Sequence, residues 1–173
     1  AVFDVEQIPT HGGSLRVYAQ LRSSGSYKVN TNVEDLLEEE ERAGINSINT
    51  YQGFQEKAED IKNNFLSFLI KTKNNGHSVV GYGAAAKGST LLNFSGVRPD
   101  LLPYVVDKSE AKMDKFMPGS RVPIMSETLL KKDKPDYIVI FPWNIQDEVI
   151  EQLAYVKKWG GKFVLFIPSM QII

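Results

Sequence analysis

Residues 81–90, GYGAAAKGST, combine small residues with a cation and two hydroxyls. If a strand precedes this segment and a helix follows it, its backbone N–H groups can surround a phosphate at the positive end of that helix. Gly81 and Gly83 allow a tight turn and a close ligand approach, because neither residue carries a Cβ atom. Lys87 supplies a positive charge. The segment therefore predicts the binding of a phosphate or diphosphate group.

The spacing within this segment does not decide which molecule carries that phosphate. Ala86 stands where the fingerprint G-x-G-x-x-G/A has its third small residue, which favours a nicotinamide cofactor. A Walker A site for a nucleoside triphosphate is not favoured, because Ser89 occupies the position of the motif's lysine. A substrate diphosphate is an alternative, and so is a strand–helix turn that binds nothing.

Further polar residues follow two other apolar runs. Asp107 ends the run YVVD, where a carboxylate can accept hydrogen bonds from ribose hydroxyls or can cap the next loop. The long connection after it, residues 108–124, is of the kind that often carries function, and its residues Lys108, Ser109 and Lys112 could meet a diphosphate or could be plain solvated residues. In FPWNI, Trp143 and Asn144 would suit a base or a sugar. Alternatively, the tryptophan is half-buried and the asparagine caps a helix.

An obvious catalytic group is missing from this set. A nicotinamide-dependent dehydrogenase needs a proton donor, usually His, Tyr or Lys, beside its cofactor. Residues 89–173 contain no histidine, Tyr104 and Tyr137 lie in predicted strands, and the chain has no G-x-S-x-G elbow. These features are typical of a binding module.

The composition excludes several other classes. The chain has no cysteine, so disulfides, thiolate nucleophiles and cysteine zinc sites are absent. A net charge of −1 gives no general attraction for nucleic acid. No apolar run reaches the ~20 residues of a membrane span and no secretory signal is visible, so we expect a cytoplasmic protein.

The elements that must position these residues are strands alternating with helices. The apolar runs SVVGYG, LLPYVVD, DYIVIF and KFVLFI predict strands, with helices near residues 87–96, 126–133 and 146–158. Unbroken apolar runs are typical of parallel strands that are buried on both faces. The second half of the chain therefore predicts an α/β fold, a Rossmann-like doubly wound parallel sheet.

A strand segment and a long amphipathic helix are predicted before this sheet. The runs VFDV and SLRVYAQL predict strands around a glycine turn. Asn32 is expected to cap an acidic helix, with Asp35 as its capping-box partner, and Gly44 is expected to end it. Residues 47–75 predict one long helix with an aromatic face.

Four motifs, taken in order, are more specific than the glycine loop alone. VFDVEQIPTHGGSLRVYAQ, GYGAAAKGSTLLNF, VVDKSEAKMDKFMPGSRVPI and FPWNI span nearly the whole chain. Together they resemble the carboxyl-terminal domain of SAM-dependent sugar C-methyltransferases. Members of that family have an amino-terminal zinc domain, a central SAM-binding domain and a Rossmann-like end domain. They methylate a carbon of a keto-sugar attached to a nucleoside diphosphate, in deoxysugar biosynthesis.

The resemblance implies three parts for this chain. Residues 1–24 would be a strand segment from the end of a methyltransferase domain, and the missing initiator Met fits either processing or a cut from a longer protein. Residues 25–76 would be a helical connector packed on the sheet, and residues 77–173 the Rossmann-like domain. The upstream methyltransferase domain would be a partner in cis.

The resemblance also implies what the glycine loop holds, namely the diphosphate of the nucleotide-sugar substrate. The whole enzyme would deprotonate the sugar next to a ketone, and the enolate would attack the methyl group of SAM. SAM and structural zinc would bind in upstream domains, so we expect no cofactor, metal or catalytic residue here, and no activity from this fragment alone. The implied substrate-binding residues are Gly81, Gly83, Ala84, Lys87, Gly88, Ser89, Thr90, Asp107, Ser109, Lys112 and Asn144.

Two alternatives belong to other classes of protein. The first is a stand-alone NAD(P)-binding Rossmann module or a ligand-sensing domain. The second is a structural or oligomerising domain with an empty loop. The first alternative predicts affinity for NAD(H), whereas the methyltransferase hypothesis predicts affinity for a nucleoside diphosphate.

Overall fold

The computed structural model describes residues 1–173, which form two compact units, residues 1–55 and 56–173. The first unit contains an antiparallel hairpin, a twelve-residue helix and one short helix. These elements are β1 (Val2–Ile8), β2 (Ser14–Ala19), α1 (Thr31–Arg42) and α2 (Ile48–Tyr51). A 3-10 turn, Thr10–Gly12, joins the two strands.

The second unit alternates strands with helices, as predicted. A long helix, α3 (Phe54–Asn74), leads into it from the end of the first unit. The elements that follow are β3 (Val79–Tyr82), α4 (Ala86–Phe94), β4 (Val105–Asp107), β5 (Ile124–Ser126), α5 (Thr128–Asp133), β6 (Tyr137–Ile140), α6 (Gln146–Gln152), β7 (Lys162–Leu165) and β8 (Gln171–Ile172).

These strands form one six-stranded sheet in the order β5-β4-β3-β6-β7-β8. The first five strands are parallel, and β8 runs antiparallel to β7. The order of the strands reverses between β3 and β6, and a ligand crevice forms at such a reversal, outside the carboxyl ends of the strands. The predicted Rossmann-like fold is therefore confirmed.

Helices cover both faces of the sheet. On one face, Val105 packs in a cluster with Phe65 of α3 and Leu92 of α4. On the other face, Ile138 of β6 packs in a cluster with Leu130 of α5 and with residues of α6. Burial on both sides explains the unbroken apolar runs, since neither face of these strands meets water.

Two predictions about the first helices were wrong. Asn30, not Asn32, caps α1, because its side-chain oxygen accepts the N–H of Asn32 at 3.3 Å. The predicted single helix over residues 47–75 is broken after Tyr51, where Gly53 adopts a positive φ of 79° that a continuous helix does not allow. Tyr51 and Phe54 remain 52% and 69% exposed. The buried aromatic face begins only with Phe65 of α3.

Other elements were missed or shortened. β5 lies at the end of the segment predicted as a long loop, and the two-residue β8 was not predicted at all. The helix predicted over residues 146–158 is α-helical only to Gln152 and continues as a 3-10 helix, Ala154–Trp159. None of the helices is both long enough and apolar enough to cross a membrane.

Candidate functional site

The glycine loop joins β3 to α4 at the point where the strand order reverses. Gly83 has a φ of +87°, and its N–H donates to the carbonyl of Val106 at 2.8 Å. A Cβ atom at this position would lie 2.6 Å from Cδ of Pro142, which follows β6. Glycine is therefore required here both by the backbone conformation and by the approach of the segment after β6.

The other two glycines of the motif pack against Phe141. A Cβ atom on Gly81 would lie 2.6 Å from Cε2 of this ring, and one on Gly88 would lie 2.7 Å from its Cγ. Both glycines are buried, Gly81 in β3 and Gly88 in α4. Their small size therefore allows close packing of β3 and α4 around this ring. Backbone N–H groups that can face a ligand are left to the first turn of α4, which begins at Ala86.

Lys87, in the first turn of α4, reaches the segment that follows β6. Its Nζ atom donates to Oδ1 of Asn144 at 2.6 Å and lies 4.0 Å from the ring centroid of Trp143. All three side chains are half-buried. The structure thus brings together a cation, an amide and an aromatic plane from the two sides of the strand reversal.

The hydroxyls of Ser89 and Thr90 in the motif point back along their own helix. Ser89 Oγ donates to the carbonyl of Ala85 at 3.4 Å, and Thr90 Oγ1 donates to the carbonyl of Ala86 at 3.2 Å. This hydrogen bonding to the preceding turn is common for Ser and Thr inside helices. The structure therefore does not join these hydroxyls to the group around Lys87.

Asp107 binds the glycine loop directly. Its Oδ2 accepts the N–H of Ala84 at 2.7 Å, and its Oδ1 accepts the N–H of Ser109 at 2.8 Å. Lys112 donates to Oδ2 of Asp107 at 3.1 Å and to the carbonyl of Ala84 at 3.0 Å. Three of the implied substrate-binding residues, Asp107, Ser109 and Lys112, are thus connected with one another and with the loop.

Hydrogen bonds keep Asp107 ionised in spite of its burial. The side chain is only 12% exposed, and this burial by itself would raise the pKa of the carboxyl. The hydrogen bonds from Ser109, Lys112 and Ala84, together with the charge of Lys112, outweigh burial and lower the pKa below its ordinary value. The ion pair of Asp107 with Lys112 therefore lies beside the glycine loop.

A second polar network was missed by the sequence analysis. Gln152 Nε2 donates to the hydroxyl of Tyr82 at 2.8 Å and to Oε2 of Glu127 at 2.6 Å, and the Tyr155 hydroxyl donates to Oε1 of Glu127 at 3.3 Å. Burial, followed by the charge of Glu127, raises the pKa of both tyrosines to about 12. The four residues come from separate elements, and only Tyr82 lies within a motif that the sequence marks.

Metal binding has no support in the arrangement of side chains. Across residues 1–173, no group of three or more His, Asp or Glu side chains could hold a metal ion. His77 lies instead 3.6 Å from the carboxylate of Asp136, which also accepts hydrogen bonds from Ser78.

Comparison with known proteins gives two matches. The sequence model of the family described as "C-methyltransferase C-terminal domain" matches residues 9–168. The C-methyltransferase NovU of Streptomyces niveus is 32% identical over 172 residues, which make up 99% of this chain and 41% of that protein. The chain thus spans about two fifths of the length of this relative.

Proposed function

The chain belongs to the family of C-methyltransferase C-terminal domains, and from this premise we propose that it holds the substrate of a larger SAM-dependent enzyme. The substrate would be a keto-sugar attached to a nucleoside diphosphate. The glycine loop and the start of α4 would bind the diphosphate, in the crevice between β3 and β6. The chain's share of catalysis would be to position the sugar for methyl transfer.

One observation carries this proposal, namely the meeting of Lys87 with Trp143 and Asn144 at the strand reversal. The lysine is a half-buried cation at the positive end of a helix, so its location favours an anion. The indole ring lies 4.0 Å from the ammonium group and could also stack on a base or sugar. The amide of Asn144 would donate to the ligand while Lys87 Nζ turns towards a phosphate oxygen.

The remaining predicted residues have supporting roles in this proposal. Gly81, Gly83 and Gly88 would shape the loop, Ala84 would lead into α4, and the backbone N–H groups of the first turn of α4, from Ala86 onward, would meet the diphosphate. Ser89 and Thr90 would contact phosphate only after leaving their helix carbonyls. Ser109 and Lys112, with Asp107, would lie towards the nucleoside.

The β1–β2 hairpin would belong to an upstream methyltransferase domain of the same polypeptide. Leu15 and Val17 of β2 are 45% and 51% exposed, and β1 precedes the residues matched by the family. A two-stranded sheet is marginally stable alone, so these side chains would be covered by that domain. SAM and structural zinc would bind upstream, and this chain alone would be inactive. A cytoplasmic location also stays a prediction.

Calorimetric titration tests the proposal. The chain is titrated in parallel with UDP, dTDP, NAD and SAM, and Lys87→Met is compared with Lys132→Met, which removes an exposed lysine of α5. We expect UDP or dTDP to bind, and Lys87→Met to weaken that binding by about tenfold or more, because a charge-assisted hydrogen bond is lost. Lys132→Met should bind normally.

Two results would contradict the proposal. Binding of NAD without any nucleoside diphosphate would favour the cofactor-binding alternative. Equal losses in the two lysine variants would mean that the ligand responds to general charge and not to the crevice. If this chain binds no ligand, the same titration is repeated with the longer polypeptide, and failure there rejects the proposal.

A further inference from the structure

Ala84 is held at both of its backbone polar groups by two residues from another part of the sheet edge. Its N–H donates to Asp107 Oδ2 at 2.7 Å, and its carbonyl accepts Lys112 Nζ at 3.0 Å. The two side chains also contact each other at 3.1 Å. Ala84 follows the turn at Gly83 and precedes α4 by two residues, so this contact fixes the direction in which the helix begins.

The position of Asp107 has a consequence for any anion at the loop. Its carboxylate already occupies the N–H of Ala84, a group that a bound phosphate would otherwise use. A diphosphate therefore cannot use this amide while the carboxylate of Asp107 accepts its N–H. The first turn of α4 remains as the place where helix N–H groups and the Lys87 cation can meet it.

We propose that Asp107 and Lys112 are positioning residues that fix the glycine loop and direct the diphosphate to the first turn of α4. The part of this inference that concerns the diphosphate rests on the proposed function, whereas the part that concerns the structure of the loop does not. In a dinucleotide-binding Rossmann fold, an acidic residue at the end of the second strand of the sheet, the position of Asp107 at the end of β4, usually binds ribose hydroxyls. Here Oδ2 has two donors and Oδ1 has one, so the carboxylate acts mainly on its own protein.

A ligand comparison separates the two roles of Asp107. Dissociation constants of UDP and 2′,3′-dideoxy-UDP are measured for the intact protein and for Asp107→Asn. An asparagine cannot accept from both Ala84 and Ser109, because one end of its amide is a donor. We expect the variant to lose about tenfold in affinity for both nucleotides, so that their affinity ratio is unchanged. A ratio that falls to one only in Asp107→Asn would mean direct ribose contact and would overturn the proposal.

Lys112 provides the second pair of variants. Lys112→Met removes the cation that holds the Ala84 carbonyl, whereas Lys112→Arg keeps a donor of similar reach. We expect weaker UDP binding in Lys112→Met and recovery of most of it in Lys112→Arg. Equal binding by Lys112→Met and the unaltered protein would contradict the proposed role of Lys112.

Hydrogen exchange tests the loop without any ligand. The amides of Ala84 and Ser109 should exchange about tenfold faster or more in Asp107→Asn, whereas the buried Leu92 of α4 should keep its rate. Unchanged exchange at Ala84 would overturn the inference even if nucleotides bind. Faster exchange at Ala84 without nucleotide binding would support the loop contact and reject the proposed function, so the two failures are distinguishable.

Discussion

Lys87 and Asn144 are 57 residues apart in the chain, yet their side chains meet at 2.6 Å. The contact joins the helix that follows β3 to the segment that follows β6, the two neighbouring strands at which the sheet order reverses. Asn144, a neutral residue, thus holds the side chain of Lys87 at the crevice. Asn144 adds no charge of its own to this contact, whereas an acid at position 144 would place a negative charge beside Lys87.

Asn144→Asp therefore tests what the lysine is for. We expect the new carboxylate to pair with Lys87 and to repel a diphosphate, so that affinity for UDP or dTDP falls by about tenfold or more. The melting temperature should be unchanged or slightly raised. Gln146→Glu adds the same charge two residues further on and is the matched control. Retained nucleotide affinity in Asn144→Asp would mean that Lys87 does not bind phosphate.

Gly88→Ala tests the packing of α4 against the segment after β6. The added methyl group would lie 2.7 Å from Cγ and 2.9 Å from Cβ of Phe141, so the helix or the ring must move. We expect the free energy of unfolding to fall by about 1–3 kcal/mol, although alanine is the better helix former. Urea denaturation measures this loss.

The control for Gly88→Ala is Ser89→Ala in the same helix, which should be close to neutral. Phe141→Leu in the Gly88→Ala background should recover part of the stability, because the smaller side chain makes room for the methyl group. If Gly88→Ala is as stable as the unaltered protein, the close approach of the ring does not require glycine.

The lowered pKa of Asp107 predicts that the folded protein loses stability in acid. Burial would raise its pKa, but the hydrogen bonds from Ser109, Lys112 and Ala84 lower the pKa in the folded protein. A lowered folded-state pKa means that the stabilisation is fully present above the unfolded value of about 3.9 and is lost as the pH falls through the folded value. Asp107→Asn should therefore be less stable than the unaltered protein at pH 7, and the difference should shrink below about pH 4.

Urea denaturation between pH 7 and pH 3 measures this dependence. Glu110→Gln, at an exposed position of the same connection, is the control for the loss of one negative charge. A stability difference between Asp107→Asn and the unaltered protein that stays constant down to pH 3 would argue against an ionised Asp107 in the fold.

A substitution in the β1–β2 hairpin should affect stability differently in this chain alone and in the longer polypeptide. Val17→Thr changes an exposed apolar side chain of β2, so in this chain alone the stability should change by less than about 0.5 kcal/mol. In the longer polypeptide the same change should cost about 1–2 kcal/mol, because the side chain would be buried by the upstream domain. Arg16→Thr, on the other face of the strand, is the comparison. Equal small effects in both contexts would mean that nothing covers this face.

The sequence predicted where the residues of the candidate site lie in the fold better than it predicted their contacts. GYGAAAKGST marked the loop, and Asp107 and Asn144 were identified as polar residues that follow two other apolar runs. The structure has both at one edge of the sheet, because the carboxyl ends of parallel strands meet there. The roles of the glycines were less visible, since two of them pack on the ring of Phe141. The Tyr82 network could not be found, because its members share no spacing in the sequence.

The sequence by itself determined the layered α/β fold and the place of the glycine loop. Continuous apolar runs and glycine turns are local features, and burial on both faces of a parallel sheet requires them. Only the tertiary structure decided that Lys87 meets Asn144 and that Asp107 holds Ala84. The physical reason is that such contacts depend on strand order and on the close packing of distant segments, which local periodicity does not specify.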